Sequence, residues 1–338
     1  MAIRSRSFAR VECGEKSLEF AYAIARLYFK RRYRLAHRNV VQLACGNQGA
    51  EFRAPAPFIV GMGRSGTTLL RLMLDAHSQL AIPPETDFIG LFLRRNFGEH
   101  ILCHDAFKTM TGHYDWKSFG LSRESFRAAL IEKNIASRTE AMRCFYELYA
   151  QRFAKTRWGD KTPAHVPHIA LLSTLLEEAR FIHIIRDGRD VVTSMRGMWF
   201  APARTVSGIA RAWVETINDT RRQGLTIKHY LELRYEDLIM RPEIELRKIC
   251  AFIDLPYEPS MIDYHKRAAE RLAELEAVNL RFGLLRVTGN QRRYNHRRTS
   301  DPPSASRIGR WRSELNARDI GAVDRVAGPL LRELGYGA

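Results

Sequence analysis

The run Phe58-Ile59-Val60-Gly61-Met62-Gly63-Arg64-Ser65-Gly66-Thr67-Thr68-Leu69-Leu70 decides how this chain folds. Its apolar start around Ile59 and Val60, preceded by Pro55 and Pro57, predicts a short buried strand. Gly61, Gly63 and Gly66 permit a tight turn, with backbone close to whatever lies above it. From Thr67 the pattern is helical: Leu69, Leu70, Met73, Leu74 and His77 recur at three- and four-residue spacing. A strand, a glycine-rich turn and a helix N-terminus aim unpaired N–H groups and the positive dipole end at one point. That point is an anion site, and phosphate suits it.

The common phosphate loop reads GxxxxGK[ST]. Gly61 and Gly66 have the matching separation, but Thr67 occupies the lysine position and the cation has moved into the loop as Arg64. A nucleoside-triphosphate enzyme uses that lysine for the β/γ-phosphates, so its loss argues against ordinary ATP or GTP chemistry. A glycine-rich turn with no ligand is the competing reading of the stretch alone. Gly63-Arg64-Ser65-Gly66-Thr67-Thr68-Leu69 resembles the 5′-phosphosulfate loop of the sulfotransferases that use PAPS, 3′-phosphoadenosine 5′-phosphosulfate. The continuation through Leu72-Met73-Leu74-Asp75-Ala76-His77 to Glu85-Thr86 is especially similar to tyrosylprotein sulfotransferases and their bacterial relatives. The resemblance implies that Arg64, Ser65, Gly66, Thr67 and Thr68 bind the donor, and that Glu85 is the catalytic base. From the residues alone, Glu85 reads equally as a first-turn acid at a helix dipole.

A second block stands about 120 residues further on. Phe181-Ile182-His183-Ile184-Ile185 predicts a parallel strand buried on both faces. Arg186-Asp187-Gly188-Arg189-Asp190 then turns into a helix carrying Val191, Val192, Met195 and Met198. Ligands of open α/β sheets bind at such carboxyl strand ends. The block resembles the family's 3′-phosphate site, which implies Arg186 and Ser194 as its residues; Arg189 and Asp190 read as pairing with each other or capping the helix.

Weaker matches complete the resemblance over about residues 55–315. Trp158-Gly159-Asp160-Lys161-Thr162-Pro163, a breaker-rich segment, is similar to the loop whose lysine faces the transferring sulfuryl group, which makes Lys161 the third catalytic candidate. His165 and His168 are alternative bases nearby. His229 to Leu238 reads as a third strand leaving through a polar turn, and its Tyr235 corresponds to a family tyrosine beside the adenosine. Ser306-Arg307-Ile308-Gly309-Arg310-Trp311 is similar to the C-terminal loop over the 3′-phosphate, which implies Arg307, Gly309 and Arg310.

The remaining chain is read from composition and periodicity. At 338 residues with 45% hydrophobic and 27% charged content, it can bury a substantial core as a globular protein. Its net charge of +17 suits a polyanionic ligand, an acidic substrate, nucleic acid or an anionic membrane surface. The five cysteines, scattered and without CxxC spacing, argue against a zinc site or a disulfide framework and make cytoplasm the expected compartment. Residues 1–50 read as a basic extension with a helical stretch from about Leu18 to Arg38, expected to be too charged to span a bilayer and without the look of a signal peptide. It reads as a packed surface helix or as a peripheral membrane or partner contact. Residues 51–338 form the catalytic domain, with a helical, substrate-facing insertion over 94–157 and an arginine-rich, loop-like cofactor segment over 286–312. Residues 265–281 alternate helically.

The resemblance implies a P-loop-like three-layer α/β/α fold with a parallel sheet of four to five strands. It implies sulfuryl transfer from PAPS to an acceptor hydroxyl or amine, without a metal. The acceptor class, protein, sugar, lipid or small molecule, is not readable, and monomer and homodimer are both open; no nucleic-acid partner is expected. The alternatives are a P-loop nucleotide kinase and a non-enzymatic polyanion-binding protein, the latter supported by the arginines of 286–312.

Overall fold

A computed structural model describes residues 53–94, 103–198, 200–280 and 285–337. The basic extension expected over 1–50, with its membrane or partner role, lies outside the described residues. Strand β1 (Ala56–Val60) leads through the glycine turn into helix α1 (Thr67–Asp75) and the short strand β2 (Leu80–Ala81). Helices Cys103–Thr111 and Arg123–Glu132 precede α2 (Arg138–Gln151), which opens on a Ser137–Glu140 capping box. Two-residue strands β3 (Arg157–Trp158) and β4 (Asp160–Lys161) follow, then β5 (Ala179–Ile185), α3 (Gly188–Met195), α4 (Val206–Gly224) and β6 (Tyr230–Arg234). The last described helix is α5 (Ala317–Glu333).

The main sheet has four parallel strands in the order β4-β1-β5-β6. Side chains along a strand alternate between faces, and the two cores follow that alternation. Phe58, Val60 and Phe181 pack with Phe88, Phe145 and Tyr146 on one face. Ile59, Ile182 and Ile184 pack with Leu69, Leu70 and Met73 of α1 on the other. The result is the three-layer arrangement, and the central places of β1 and β5 bring their carboxyl ends side by side. Among the described residues no helix is long and apolar enough to cross a membrane.

Several elements differ from the sequence expectation. The breaker-rich segment at 158–163 contains β4, the fourth strand of the sheet, and begins on the last residue of β3, which pairs in parallel with β2. Gly159 makes the join: a Cβ there would lie 2.8 Å from the Pro57 carbonyl oxygen. Tyr235 opens a helix, Tyr235–Met240, instead of a polar turn. The helix read over 265–281 ends at Ala273, and Val278–Leu280 pairs antiparallel with Leu285–Val287. The 286–312 segment is built largely of short helices, Gly289–His296 among them, and is tied down by specific contacts. Arginine content obscured this, because arginine serves a solvated loop and a clamped one alike.

Candidate active site

The turn after β1 is shaped by backbone geometry. Gly66 is the N-cap of α1 with φ of 101°, and Arg64 carries a positive φ of 71°. A Cβ on Gly66 would sit 2.5 Å from the Tyr235 ring, so only glycine lets the turn rest on that aromatic. Gly66 has no side chain to cap the helix, which leaves the first-turn N–H groups of α1 facing outward. Ser65 and Thr67 are buried and Thr68 is half-buried at this end.

Arg186 leaves β5 directly beside this turn. Its Nη1 donates to the Arg64 carbonyl at 3.2 Å, its Nη2 donates to the Arg307 carbonyl at 2.5 Å, and its guanidinium lies 4.5 Å from the Tyr235 ring centre. Arg64 in turn donates from Nε to Ser194 Oγ at 3.2 Å and from Nη1 to the Asn295 carbonyl at 3.2 Å. Desolvation lowers the Arg64 pKa, and so do the nearby charges of Arg186, Arg297, Arg298 and Arg310. Five arginines thus share one region. Arg186 Nη2 also lies 3.5 Å from Asp190 Oδ2, and its Nε is buried with no hydrogen-bond partner among the described residues.

The Asp190 carboxylate accepts the Gly309 N–H at 2.8 Å and the Trp311 N–H at 3.0 Å, and so clamps the C-terminal loop onto α3. Arg189 does not pair with Asp190. It forks onto Asp187 at 3.0 and 2.8 Å and stacks on Trp311. The Arg310 side chain is turned along its own helix to Glu314, at 2.7 Å.

Lys161 and Glu85 meet on the other flank. Lys161 Nζ donates to Glu85 Oε1 at 2.6 Å; the lysine side chain is 4% exposed and the glutamate side chain 42%. Glu85 precedes helix Ile89–Arg94 by four residues, so it is no first-turn acid, and its partner is the lysine. His296 joins the two halves. Desolvation, then the charges of Lys161, Arg64, Arg71 and Arg292, hold its pKa well below the ordinary imidazole range. The half-buried Glu85 carboxylate therefore opens beside a set of strand-end cations, an arrangement suited to accepting a proton next to a bound anion.

His165 is buried on the reverse side of β4, with Nε2 3.2 Å from Thr86 Oγ1, and His168 is buried at the N-cap of helix Ile169–Leu175. Sequence reasoning passed over Thr86, Asp160, Asn295 and His296, and read Asp190 only as a partner of Arg189 or a helix cap. Recognising Asp160–Lys161 as a strand would have flagged Asp160, since neighbours on a strand point to opposite faces. Asp190 and Asn295 carry no local signal.

A parallel α/β sheet with arginines at adjoining strand ends and a carboxylate beside a buried lysine is suited to binding an anion next to a proton acceptor. The profile of the Sulfotransferase family matches residues 55–259, and the chain belongs to that family. Protein-tyrosine sulfotransferase A of Caenorhabditis elegans is 23% identical over 310 residues, spanning 86% of this chain and 69% of that one. Nodulation protein NoeE of Sinorhizobium fredii is 27% identical over 301 residues, or 82% of this chain and 65% of that one. The solved sulfotransferase domain from the curacin biosynthetic pathway shares the fold, with a TM-score of 0.50 at 20% identity over 82% of this chain and 98% of that one. The protein is a sulfuryl-transferring enzyme.

Proposed function

We propose that the donor is PAPS and that its sulfuryl group passes to an acceptor hydroxyl, releasing adenosine 3′,5′-bisphosphate. The observation that carries this reading is the convergence of the two strand ends: Arg186 Nη1 donates to the Arg64 backbone carbonyl at 3.2 Å, and the Arg186 charge lies close enough to depress the Arg64 pKa. Two phosphates on one small ligand match two adjoining cationic strand ends; a triphosphate would want the missing loop lysine. Arg186 and Ser194 hold the 3′-phosphate with Arg307 and, once it leaves Glu314, Arg310, on a loop that the Gly309 N–H bond to Asp190 keeps in place; the first-turn N–H groups of residues 65–68 hold the 5′ end. The donor, when bound, supplies the sulfuryl group and a phosphate leaving group. Arg64 and Lys161 stabilise the negative oxygens that build up between them. Glu85 takes the acceptor's hydroxyl proton, and its exposed carboxylate edge is where an acceptor can approach. Tyr235 flanks the adenosine.

Glu85→Gln tests this directly. Transfer of labelled sulfate from PAPS into a cell extract falls at least about a hundredfold, the usual worth of a positioned base, while calorimetric affinity for adenosine 3′,5′-bisphosphate stays within twofold. Undiminished transfer would remove Glu85 as the base. Thermal stabilisation by adenosine 3′,5′-bisphosphate, and not by ATP·Mg²⁺ or heparin, separates this reading from the kinase and polyanion-binding alternatives.

A further inference from the structure

Behind the Glu85–Lys161 pair lies a polar cluster that the reaction as described does not use. On β4, Asp160 and Lys161 are neighbours, so their side chains leave the strand on opposite sides. Lys161 faces Glu85, and Asp160 is completely buried. Glu85 and Thr86 divide in the same way. The Thr86 hydroxyl donates to Asp160 Oδ2 at 2.5 Å, and the Thr86 N–H donates to Thr162 Oγ1 at 2.8 Å. The residue following Glu85 is therefore tied to both residues flanking Lys161.

The cluster converges on one carboxylate oxygen, Asp160 Oδ2, while Asp160 Oδ1 is buried without a hydrogen bond among the described residues and lies 3.6 Å from His165 Nε2. Asp160 Oδ2 also accepts from Tyr146 OH at 2.9 Å and from Thr162 Oγ1 at 3.2 Å. With its only proton given to Asp160, the Thr86 hydroxyl is left to accept, and His165 Nε2 lies 3.2 Å away. Tyr146 is itself fixed by stacking on Trp158, with ring centres 4.6 Å apart and planes 6° from parallel. The opposite end of the Glu85 segment is held too. Ile82 N–H donates to Asp75 Oδ1 at 2.8 Å, and the Ile82 carbonyl accepts from Arg71 Nε at 2.9 Å, both side chains belonging to α1. A fully buried carboxylate is a costly way to satisfy a core, and of its three hydroxyl donors only Thr86 belongs to the Glu85 segment.

From this geometry we infer that Thr86, with Asp160 and Thr162 as its anchors, is a positioning residue that sets the Glu85 carboxylate against the Lys161 ammonium. The inference rests on the reading of Glu85 and Lys161 as the acting pair. It predicts an effect on the reaction that outruns any effect on donor binding, because the bonds lie on the side of β4 away from the phosphate turn.

Thr86→Val removes the hydroxyl at nearly constant volume, and Thr86→Ser restores it. In a crystal structure of Thr86→Val the Lys161–Glu85 contact lengthens beyond hydrogen-bonding distance, sulfuryl transfer from PAPS drops at least tenfold, and the dissociation constant for adenosine 3′,5′-bisphosphate stays within twofold; Thr86→Ser returns the first two to parental values. If Thr86→Val does not fold, Thr162→Val, which removes the acceptor for the Thr86 N–H, is measured in the same way. A contact still closed at 2.6 Å in the valine variant overturns the inference. The two readings fail separately: parental transfer by Glu85→Gln removes the base and leaves the positioning intact, whereas a closed pair in Thr86→Val removes the positioning alone.

Discussion

Arg186 shows how one side chain can join two loops and still have capacity left. Two of its nitrogens hold carbonyls from segments more than a hundred positions away, those of Arg64 and Arg307, and its Nε has no hydrogen-bond partner among the described residues. A charge-assisted hydrogen bond is worth about 1.5–3 kcal/mol, so Arg186→Ala weakens binding of adenosine 3′,5′-bisphosphate about ten- to hundredfold. Adenosine 5′-phosphate, lacking the second phosphate, loses far less. Calorimetry with the two nucleotides distinguishes them, and an equal loss for both would dissociate Arg186 from the 3′-phosphate. Asp160 makes a separate prediction. Burial pushes its carboxyl up to about 6, against the pull of the Thr86, Tyr146 and Thr162 hydroxyls and the Lys161 charge. A carboxyl raised on folding binds more protons in the native state than in the unfolded one, so its contribution to stability declines as pH rises from about 4 to about 6 and is level above. That decline is of order 3 kcal/mol. Urea unfolding across pH 4–7 shows it in the parent and not in Asp160→Asn; parallel curves would mean that Asp160 titrates alike in both states.

Among elements, the arginine-rich segment departs furthest from its sequence. Arg292 forks onto Asp115 at 2.7 and 2.5 Å, Tyr264 OH donates to the Asp301 carbonyl at 2.8 Å, and Asp190 collects the Gly309 and Trp311 N–H groups. Each tie joins parts of the chain distant in sequence. Asp190→Ala leaves two loop N–H groups without an acceptor and frees the segment from α3. Trypsin then cleaves within 297–312 at least tenfold faster, and adenosine 3′,5′-bisphosphate binds at least tenfold more weakly. Unchanged proteolysis would show that the other ties suffice. The strand Lys161 sits on carries the complementary lesson. β4 is two residues long and lies between Gly159 and Thr162-Pro163, so no periodicity could reveal it; pairing with β1 creates it.

At the scale of the molecule, the net charge of +17 sets a field as well as a site. Arg64, Arg186, Arg297, Arg298 and Arg310 gather in one region, and an anionic ligand entering there relieves their mutual repulsion. Binding of adenosine 3′,5′-bisphosphate therefore weakens with salt, as the Debye length shrinks from about 10 Å at 0.1 M to about 3 Å at 1 M. A rise of at least tenfold in the calorimetric dissociation constant between 50 and 500 mM sodium chloride is expected. A flat response would confine the attraction to direct hydrogen bonds.

The sequence alone determined the two strand–turn–helix units. Apolar runs, glycines and helical spacing are local patterns, and Phe58–Leu70 and Phe181–Ser194 fold by them. It also marked Arg64, Arg186, Glu85 and Lys161 as candidates through their resemblance to a family. Only the tertiary structure decided that Glu85 meets Lys161, that Thr86 and Asp160 lie behind them, and that Asp190 closes the C-terminal loop. Those contacts join residues 74 to 119 positions apart, where sheet order and core packing, not neighbouring residues, determine which polar groups meet.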